Sequence, residues 1–399
     1  MAKEPKSDQP WLTRSVIAIS IASLFSDTCY EGIIPLLPAF IASLGGGPAA
    51  LGLMEGLADG IAFPFKLAGG MLADRTRKRR WWAMSGYFGV GLFMPAIALV
   101  HSVFGVVAMR TVAWSARGFR SPIKDTLLVD DTNPRFVNRA FGFQRALDTV
   151  GAVIGPAVAM LLISRGWAVR DAILLGVIPG ALAALMYLFV RERPRTAPAK
   201  APLHLALAGL PPKFLQYLLA AGIFGIGNFS ATMLVLVAIR AFTPSVGSTL
   251  AITYATGLYL AHNTLQAATS YPASVLSEKM GAGRLLVVSF ALFTLVAVLV
   301  AFASSSIPIV VLAFALAAIA VAILEPMEGT YATDLLPAER RGTGFGVLAS
   351  VNGVGDFISS AGVGLLWQTV GATVAFGAAG AICAVGTLML LPMAFARRS

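Results

Sequence analysis

Acidic and basic side chains recur inside segments that are otherwise apolar enough to lie in a membrane. Asp27 and Glu31 are one helical turn apart in SLFSDTCYEGIIP, and Glu55, Asp59 and Lys66 share a helix face by similar spacing. Burial favours the protonated form of a carboxyl group, and a nearby guanidinium group favours the ionised form. A carboxylate whose arginine partner moves between two states can therefore load and release a proton. The pattern predicts a site that handles protons or cations.

The predicted interior of the first half of the chain holds more acids than bases. The acids are Asp27, Glu31, Glu55, Asp59 and Asp148, and the bases are Lys66, Arg110, Arg117 and Arg145. Because an unpaired buried carboxylate is costly, at least one acid is expected to be protonated, to face a watery cavity or to bind a cation. The alternative is structural: the acids pair with the arginines and hold the helices together.

Aromatic and neutral polar residues supply candidate substrate contacts. Tyr30 lies beside the first acidic pair, and Trp114 lies between Arg110 and Arg117, where it forms either an aromatic wall or simple packing. The second half is less charged, and its candidates are Asn228, Tyr259, His262, Asn263 and Gln266. His262 could titrate near neutral pH, but a histidine on a helix is also often satisfied by packing and one hydrogen bond.

Composition places these residues in a membrane protein. Of 399 residues, 57% are hydrophobic and 12% are charged, and the mean hydropathy is +0.79. A span with its loop takes about 30 residues, so the length accommodates roughly a dozen helices. We predict an all-α membrane protein with spans at 13–43, 48–73, 82–101, 103–124, 138–164, 171–190, 213–240, 249–275, 284–303, 307–330, 342–369 and 372–395.

The net charge of +11 reflects lysines and arginines concentrated in alternate loops. Such a distribution is an orientation signal and predicts both termini in the cytoplasm of a bacterial-type inner membrane, with an uncleaved first span. Anionic lipid headgroups are then the expected partner, and nucleic acid is not. Cys29 and Cys383 lie in apolar runs at opposite ends of the chain, so we expect free thiols, no disulfide and no metal site.

The two halves of the chain repeat when 204 is added to a residue number. The paired positions include Asp74 with Glu278, Arg75 with Lys279, Pro122 with Pro326, Asp130 with Asp334, Gly142 with Gly346 and Gly151 with Gly355. The repeat predicts an N-terminal six-helix bundle at 1–190, a linker at 191–212 and a C-terminal six-helix bundle at 213–399. Two such pseudo-symmetric bundles enclose a central cavity that opens alternately to each side.

Short motifs make the chain similar to transporters of the major facilitator superfamily. The loop after the second helix resembles the family signature G-x-x-x-D-R-x-G-R-[KR] at Gly70, Asp74, Arg75, Lys78 and Arg79, with Arg77 in place of the second glycine. A weaker copy spans Ser277 to Arg284 and includes Glu278 and Lys279. The fifth helix resembles the core of the family's antiporter signature at Gly142, Gly151, Gly155 and Pro156.

These motifs imply residues that control opening. We interpret the loop from Asp74 to Arg80 as a latch at the cytoplasmic end, with Asp125, Asp130 and Asp131 as candidate partners; a plain orientation signal is the alternative. The gating set is Asp74, Arg75, Lys78, Arg79, Glu278, Lys279, Gly151, Gly155 and Pro156. The glycines could instead serve only close helix packing.

The resemblance and the charged residues together imply a proton-coupled secondary transporter of a small organic molecule, monomeric and acting by alternating access. The antiporter-like glycines favour export. Proton-driven uptake of a nutrient, siderophore or metal complex is the alternative, and a gated channel or a sensor is disfavoured. The sequence has no P-loop motif for ATP, no catalytic constellation and no sign of a cofactor.

Overall fold

A computed structural model describes residues 11–133, 136–192, 210–337 and 340–395, without the side chains at positions 74, 75 and 342. The described part of the chain is helical and contains no strand. The first six membrane-length segments are α1 (Arg14–Ser43), α2 (Pro48–Arg75), α3 (Arg79–Leu99), α4 (Val103–Asp131), α5 (Val137–Ser164) and α6 (Val169–Phe189). Short 3-10 turns lie within α1 and end α3 and α6.

The seventh and eighth segments are joined through one long helix. Pro212–Gly227 is followed by Ala231–Met280, in which Gly247 has φ 79° and ψ 170°. Glycine adopts this region without a steric penalty, so the chain bends there. We name residues 212–246 α7, which is broken at 228–230, and residues 248–280 α8. The remaining helices are α9 (Ala282–Ala303), α10 (Ile307–Leu335), α11 (Arg341–Thr369) and α12 (Ala372–Phe395).

Eight segments of the described chain are long and apolar enough to cross a membrane, and Pro212–Met280, with 69 residues, is long enough for two spans. The other three, α2, α4 and α11, are 28 or 29 residues long and more polar. The all-α, multi-pass fold predicted from hydropathy is therefore confirmed. One local feature was not predicted: α7 was expected to be continuous over 213–240.

The described residues form two compact units. The first contains residues 11–34, 61–162 and 167–192, and the second contains 35–60, 163–166 and the described residues from 210 onward. The C-terminal part of α1, from residue 35, and the first half of α2 thus belong to the second unit. The predicted linker at 191–212 lies mostly outside the described residues, and the predicted bundle boundaries stay a prediction.

Each unit has its own core. In the first unit, small and branched residues of α1, α3, α4 and α6 pack around Tyr87 and Tyr187, whose ring centroids are 4.7 Å apart. In the second unit, aromatic rings surround the break in α7. Phe224 stacks on Phe290 at 3.6 Å, and Phe229 lies 5.0 Å from Phe293. These cores fix the helices that present the polar residues described next.

Candidate functional site

In the first unit, two arginines of α4 enclose an aromatic ring. The guanidinium carbon of Arg110 lies 3.4 Å from the centroid of the Trp114 ring, and that of Arg117 lies 4.8 Å from it. Trp114 also meets Tyr30 of α1 edge-on at 5.2 Å, and Arg117 Nη2 donates to the Tyr30 hydroxyl at 3.3 Å. A cation over an aromatic face contributes about 0.5–2 kcal/mol. The cluster therefore joins α4 to α1.

Asp27 lies on α1 among charges from three helices. It is partly buried and within electrostatic reach of Arg117 and Arg120 on α4, Asp148 on α5 and Glu31 on its own helix. The charge on this one carboxyl group therefore affects interactions that join α1 to both α4 and α5.

The backbones of α1 and α5 approach closely beside Asp27. A Cβ on Gly151 would lie 2.4 Å from the Leu24 carbonyl oxygen and 3.0 Å from the Asp27 Cβ. A Cβ on Gly155 would lie 2.6 Å from the Thr28 carbonyl oxygen. Gly142, the first glycine of the same motif, has no atom within 4 Å of such a Cβ. Two of the three glycines are thus needed for the contact with α1.

A chain of hydrogen bonds connects Asp148 to the core. Gln144, which is buried, donates from Nε2 to Asp148 Oδ2 at 2.5 Å and to Ser23 Oγ at 3.1 Å. Ser23 Oγ in turn shares a hydrogen bond of 3.1 Å with the Tyr87 hydroxyl. Asp148 is therefore held by a donor whose own position is fixed by α1 and α3.

Arg120 is a buried cation next to this network. Its guanidinium carbon lies 3.6 Å from the centroid of the Tyr87 ring, and the residue is 5% exposed. Within the described chain, its Nε and Nη1 atoms make no hydrogen bond. The cationic charge thus lies on an aromatic face, within electrostatic reach of Asp27.

At the end of the first unit where α3 begins, a second buried arginine is paired with acids. Arg79, 2% exposed, forms ion pairs with Asp130 of α4 and with Glu192 just after α6. The Glu192 carboxylate also accepts from the backbone N–H groups of Arg79 and Arg80, at 2.6 and 3.3 Å. A carboxylate at a helix N-terminus is favoured by the helix dipole. We call Arg79, Asp130 and Glu192 the Arg79 cluster.

The second unit contains a cavity of about 240 Å³ beside the break in α7. We call it the acidic cavity, because its polar lining consists of Asp59, Asn228, Ser230, His262, Asp356 and Ser360. The carboxylates of Asp59 on α2 and Asp356 on α11 are close enough to interact electrostatically. Phe229 and Phe293 contribute apolar surface.

Two contacts fix the polar wall of the acidic cavity. Ser359 Oγ donates to the carbonyl oxygen of Asn228 at 2.7 Å, which satisfies an acceptor left by the break in α7. His262 Nδ1 lies 3.2 Å from the carbonyl oxygen of Phe314. Because a carbonyl only accepts, Nδ1 carries a hydrogen, and Nε2 is left as an acceptor in the neutral ring.

Sequence comparisons identify the family to which these helices belong. The model of the Major Facilitator Superfamily matches residues 19–265 and 218–399. The chain belongs to the major facilitator superfamily. It is a multi-pass secondary transporter that carries a small-molecule substrate, and it is not an enzyme. No group of three or more His, Cys, Asp or Glu residues within the described ranges could hold a metal ion.

Individual relatives agree with this assignment. An uncharacterised MFS-type transporter of Methanocaldococcus jannaschii is 28% identical over 358 residues, covering 90% of this chain and 89% of the relative. A mutant of the nucleoside transporter NupG superposes with a TM-score of 0.78 at 13% identity, over 95% and 99% of the two chains. A bacterial homologue of the human lysosomal transporter Spinster gives 0.70 at 18% identity, over 96% and 93%. At these identities, the structures establish the fold of the transporter.

Several residues predicted for the transport site lie outside these groups. Glu55 is buried and belongs to the second unit, whereas Arg145 and Lys66 are exposed. Tyr259 is buried and nearly parallel to the His262 ring at 6.3 Å, while Asn263 and Gln266 are partly buried and not in the cavity lining. Their roles stay predictions.

The predicted gating residues also do not form one group in the described structure. Lys78, Glu278 and Lys279 are exposed, and Pro156 is buried. The Asp74 and Arg75 side chains lie outside the described residues. Among the candidate acids for the latch, Asp130 forms an ion pair with Arg79, and Asp125 forms one with Lys124 at 3.6 Å. Asp131 accepts a hydrogen bond from Thr13 Oγ1 at 2.8 Å.

Three further charged residues belong to these groups, although they were not predicted as site residues from the sequence. Asp356 lines the acidic cavity, and its place inside the apolar run VNGVGDFISS is a signal in the sequence. Arg120 lies one helical turn from Arg117, and this spacing is the signal in the sequence that places it near the same group. Glu192 lies within the predicted linker at 191–212 and forms an ion pair with Arg79.

Proposed function

We propose that this transporter exports a small organic molecule in exchange for protons, by alternating access between bundles at 1–190 and 213–399. The observation that carries the proposal is the position of Asp27, one carboxyl group within electrostatic reach of Arg117, Arg120, Asp148 and Glu31. Loading a proton on Asp27 changes the charge of this group by one. The attraction that joins α1 to α4 and the repulsion between α1 and α5 then both change.

This change couples protonation to conformation. Buried charges are tolerated when they are paired, and removing one partner is costly. Ionised Asp27 favours a conformation in which α1 stays near Arg117 and Arg120. Protonated Asp27 is neutral, so this attraction is lost and α1 can move away from the two arginines. A ligand or proton shifts a conformational equilibrium only by its different affinity for the two states, and here the guanidinium groups supply that difference.

Antiport is supported by the contact between α5 and α1. Gly142, Gly151, Gly155 and Pro156 resemble the antiporter signature, and Gly151 and Gly155 lie directly against the α1 backbone beside Asp27. These glycines set the distance between α5 and Asp27, and this distance affects the charge interactions of the proposed coupling group. The signature thus acts on coupling through the packing of α5 against α1.

We further propose a monomer in the inner membrane of a bacterial-type cell, with both termini cytoplasmic. The support is the alternation of basic and weakly charged loops along the chain. Anionic headgroups contact the basic loops in this arrangement.

The test of coupling and direction is transport into proteoliposomes with an imposed pH gradient. A panel of radiolabelled small organic solutes is first screened by thermal stabilisation of the full chain in nanodiscs, and the solutes that stabilise it are then used for transport. Antiport predicts accumulation in vesicles with an acidic lumen, which disappears when an ionophore collapses the gradient. Accumulation with an alkaline lumen instead would establish uptake by symport, and accumulation unaffected by the ionophore would exclude proton coupling.

A further inference from the structure

We propose that the acidic cavity binds a small organic cation, with its ammonium group between the carboxylates of Asp59 and Asp356 and its apolar part against Phe229 and Phe293. This inference rests on the proposed transport function, because it names the class of molecule carried. The binding itself is measured without any gradient. The two proposals therefore fail in different experiments.

The charge of the lining selects a cation. Asp59 and Asp356 face the same cavity, and the part of its wall that the structure describes contains no lysine or arginine. Two carboxylates that interact electrostatically are stabilised by a positive charge placed between them. An anionic substrate would instead be repelled by both.

The backbone at the break in α7 does not reverse this preference. The helix Pro212–Gly227 ends there with a partial negative charge, and the helix that starts at Ala231 begins there with a partial positive charge. Ser230 Oγ, the cap of the second helix, accepts from the N–H of Thr232 at 3.2 Å. The partial charges of the two helix ends have opposite signs and offset each other. The side chains therefore determine the sign of the electrostatic potential in the cavity.

His262 adds a hydrogen-bond acceptor to the polar wall of the cavity. The residue is 5% exposed and lines the cavity. Its Nδ1 atom is used by the Phe314 carbonyl oxygen, so Nε2 is the acceptor of the neutral ring. An ammonium group has several N–H donors and can donate to Nε2 as well as to a carboxylate.

The size and the aromatic wall limit the ligand further. Pockets for drug-sized molecules measure about 300–1,000 Å³, so a cavity of about 240 Å³ takes a smaller molecule. Phe229 and Phe293 present rings that stabilise a cation and its apolar carbon atoms. A primary amine in its ammonium form, with at most one ring, fits these requirements.

The experiment measures equilibrium binding to the purified full chain in nanodiscs. The probes are methylammonium, 2-phenylethylammonium and tetraethylammonium, with 2-phenylethanol, 3-phenylpropionate and sodium ions as neutral, anionic and inorganic comparisons. At least one organic cation is expected to bind saturably and at least about tenfold more tightly than 2-phenylethanol and 3-phenylpropionate. The proposal is overturned if no organic cation is preferred in this way, or if sodium ions alone stabilise the protein.

Variants locate the binding. Asp356→Asn and Asp59→Asn should each weaken cation binding by about tenfold or more, whereas Asp171→Asn, at an exposed acid at the start of α6, should leave it unchanged. Ala317→Leu fills the cavity without altering a charge and should also reduce binding, which provides a second test if an acid variant unfolds. Wild-type affinity in folded Asp356→Asn or Ala317→Leu would overturn the assignment.

Asp27→Asn separates this inference from proton coupling. The variant should bind the cation like the wild type, since Asp27 does not line the acidic cavity. It should at the same time lose accumulation driven by the pH gradient. Normal gradient-driven accumulation with Asp27→Asn would contradict the coupling proposal alone, and loss of cation selectivity in the wild type would contradict the cation site alone.

Discussion

Gly151 of α5 contacts α1 at Asp27: a Cβ on Gly151 would lie 3.0 Å from the Asp27 Cβ and 2.4 Å from the Leu24 carbonyl oxygen. The closest atom belongs to the backbone, so a side chain at this position cannot be accommodated by a rotamer change. The two helices must separate, and Asp27 must move relative to the charges on α4 and α5.

We therefore expect Gly151→Ala to reduce both stability and transport. Overpacking typically costs about 1–3 kcal/mol, which would lower the melting temperature in nanodiscs. Gly142→Ala is the matched control, because it changes the same motif where a Cβ meets no atom within 4 Å. The control should be neutral or stabilise the helix by up to about 1 kcal/mol. Equal losses in both variants would mean that the close contact with α1 does not explain the effect.

The bond from Gln144 to Asp148 predicts a second effect on coupling. Gln144→Met keeps the length of the side chain but removes the donor to Asp148 and to Ser23. Leaving such buried groups without a partner costs about 1–3 kcal/mol, and the dependence of transport on pH should change because the environment of Asp148 changes. The measurement is the initial transport rate across a range of pH, beside the melting temperature.

Gln216→Met serves as the control for that experiment, because Gln216 is exposed near the start of α7. Its pH profile should match the wild type. An unchanged profile in Gln144→Met would show that the hydrogen bond has only a structural role.

The Arg79 cluster predicts non-additive losses of stability. Asp130→Asn and Glu192→Gln each remove one of two acids that compensate the same buried arginine, so the second loss should cost more once the first acid is gone. Each single variant should destabilise by about 1–3 kcal/mol. Asp125→Asn, at a side chain that is 47% exposed, should change stability by less than about 0.5 kcal/mol. Strict additivity would contradict shared pairing with Arg79.

Labelling of introduced cysteines tests the proposed topology. Cys29 and Cys383 are free and buried, so the native background should be low. A membrane-impermeant maleimide applied to intact cells should label Thr243→Cys, near the C-terminal end of α7, which the proposed topology places outside. It should not label Glu278→Cys, at the C-terminal end of α8, which the same topology places inside. Both positions are exposed in the structure. The reverse labelling pattern would place the termini outside.

Hydropathy was sufficient to predict an all-α, multi-pass fold, because the cost of burying polar backbone in lipid leaves helices as the simplest solution. The break in α7 was not predicted, because the residues around it are apolar and hydropathy does not change where the helical backbone is interrupted. The tetrapeptide Gly227 to Ser230 carried the local signal, since Gly and Asn favour a helix end and Ser favours a new N-terminus. Hydropathy alone does not register such caps.

The contacts among the candidate site residues depend on helix rotation, which the sequence does not show. Tyr30, Trp114 and Arg117 were predicted as separate site residues, and the structure brings them into contact, while their roles in transport stay predictions. The proximity of Asp59 to Asp356 could not be predicted, because it depends on the rotation of two helices that are distant in the sequence. The 204-residue repeat did not help, since it aligns Asp356 with Ala152, which has no charge to mark the position.

Proton-driven accumulation by Asp27→Asn is the measurement that tests the central claim most directly. Wild type and Asp171→Asn, which changes an exposed acid in the same way, should both accumulate the stabilising solute in proteoliposomes with an acidic lumen. Asp27→Asn should exchange the solute between the two sides but should not accumulate it. Accumulation by Asp27→Asn at the wild-type level would contradict the assignment of Asp27 as the coupling group.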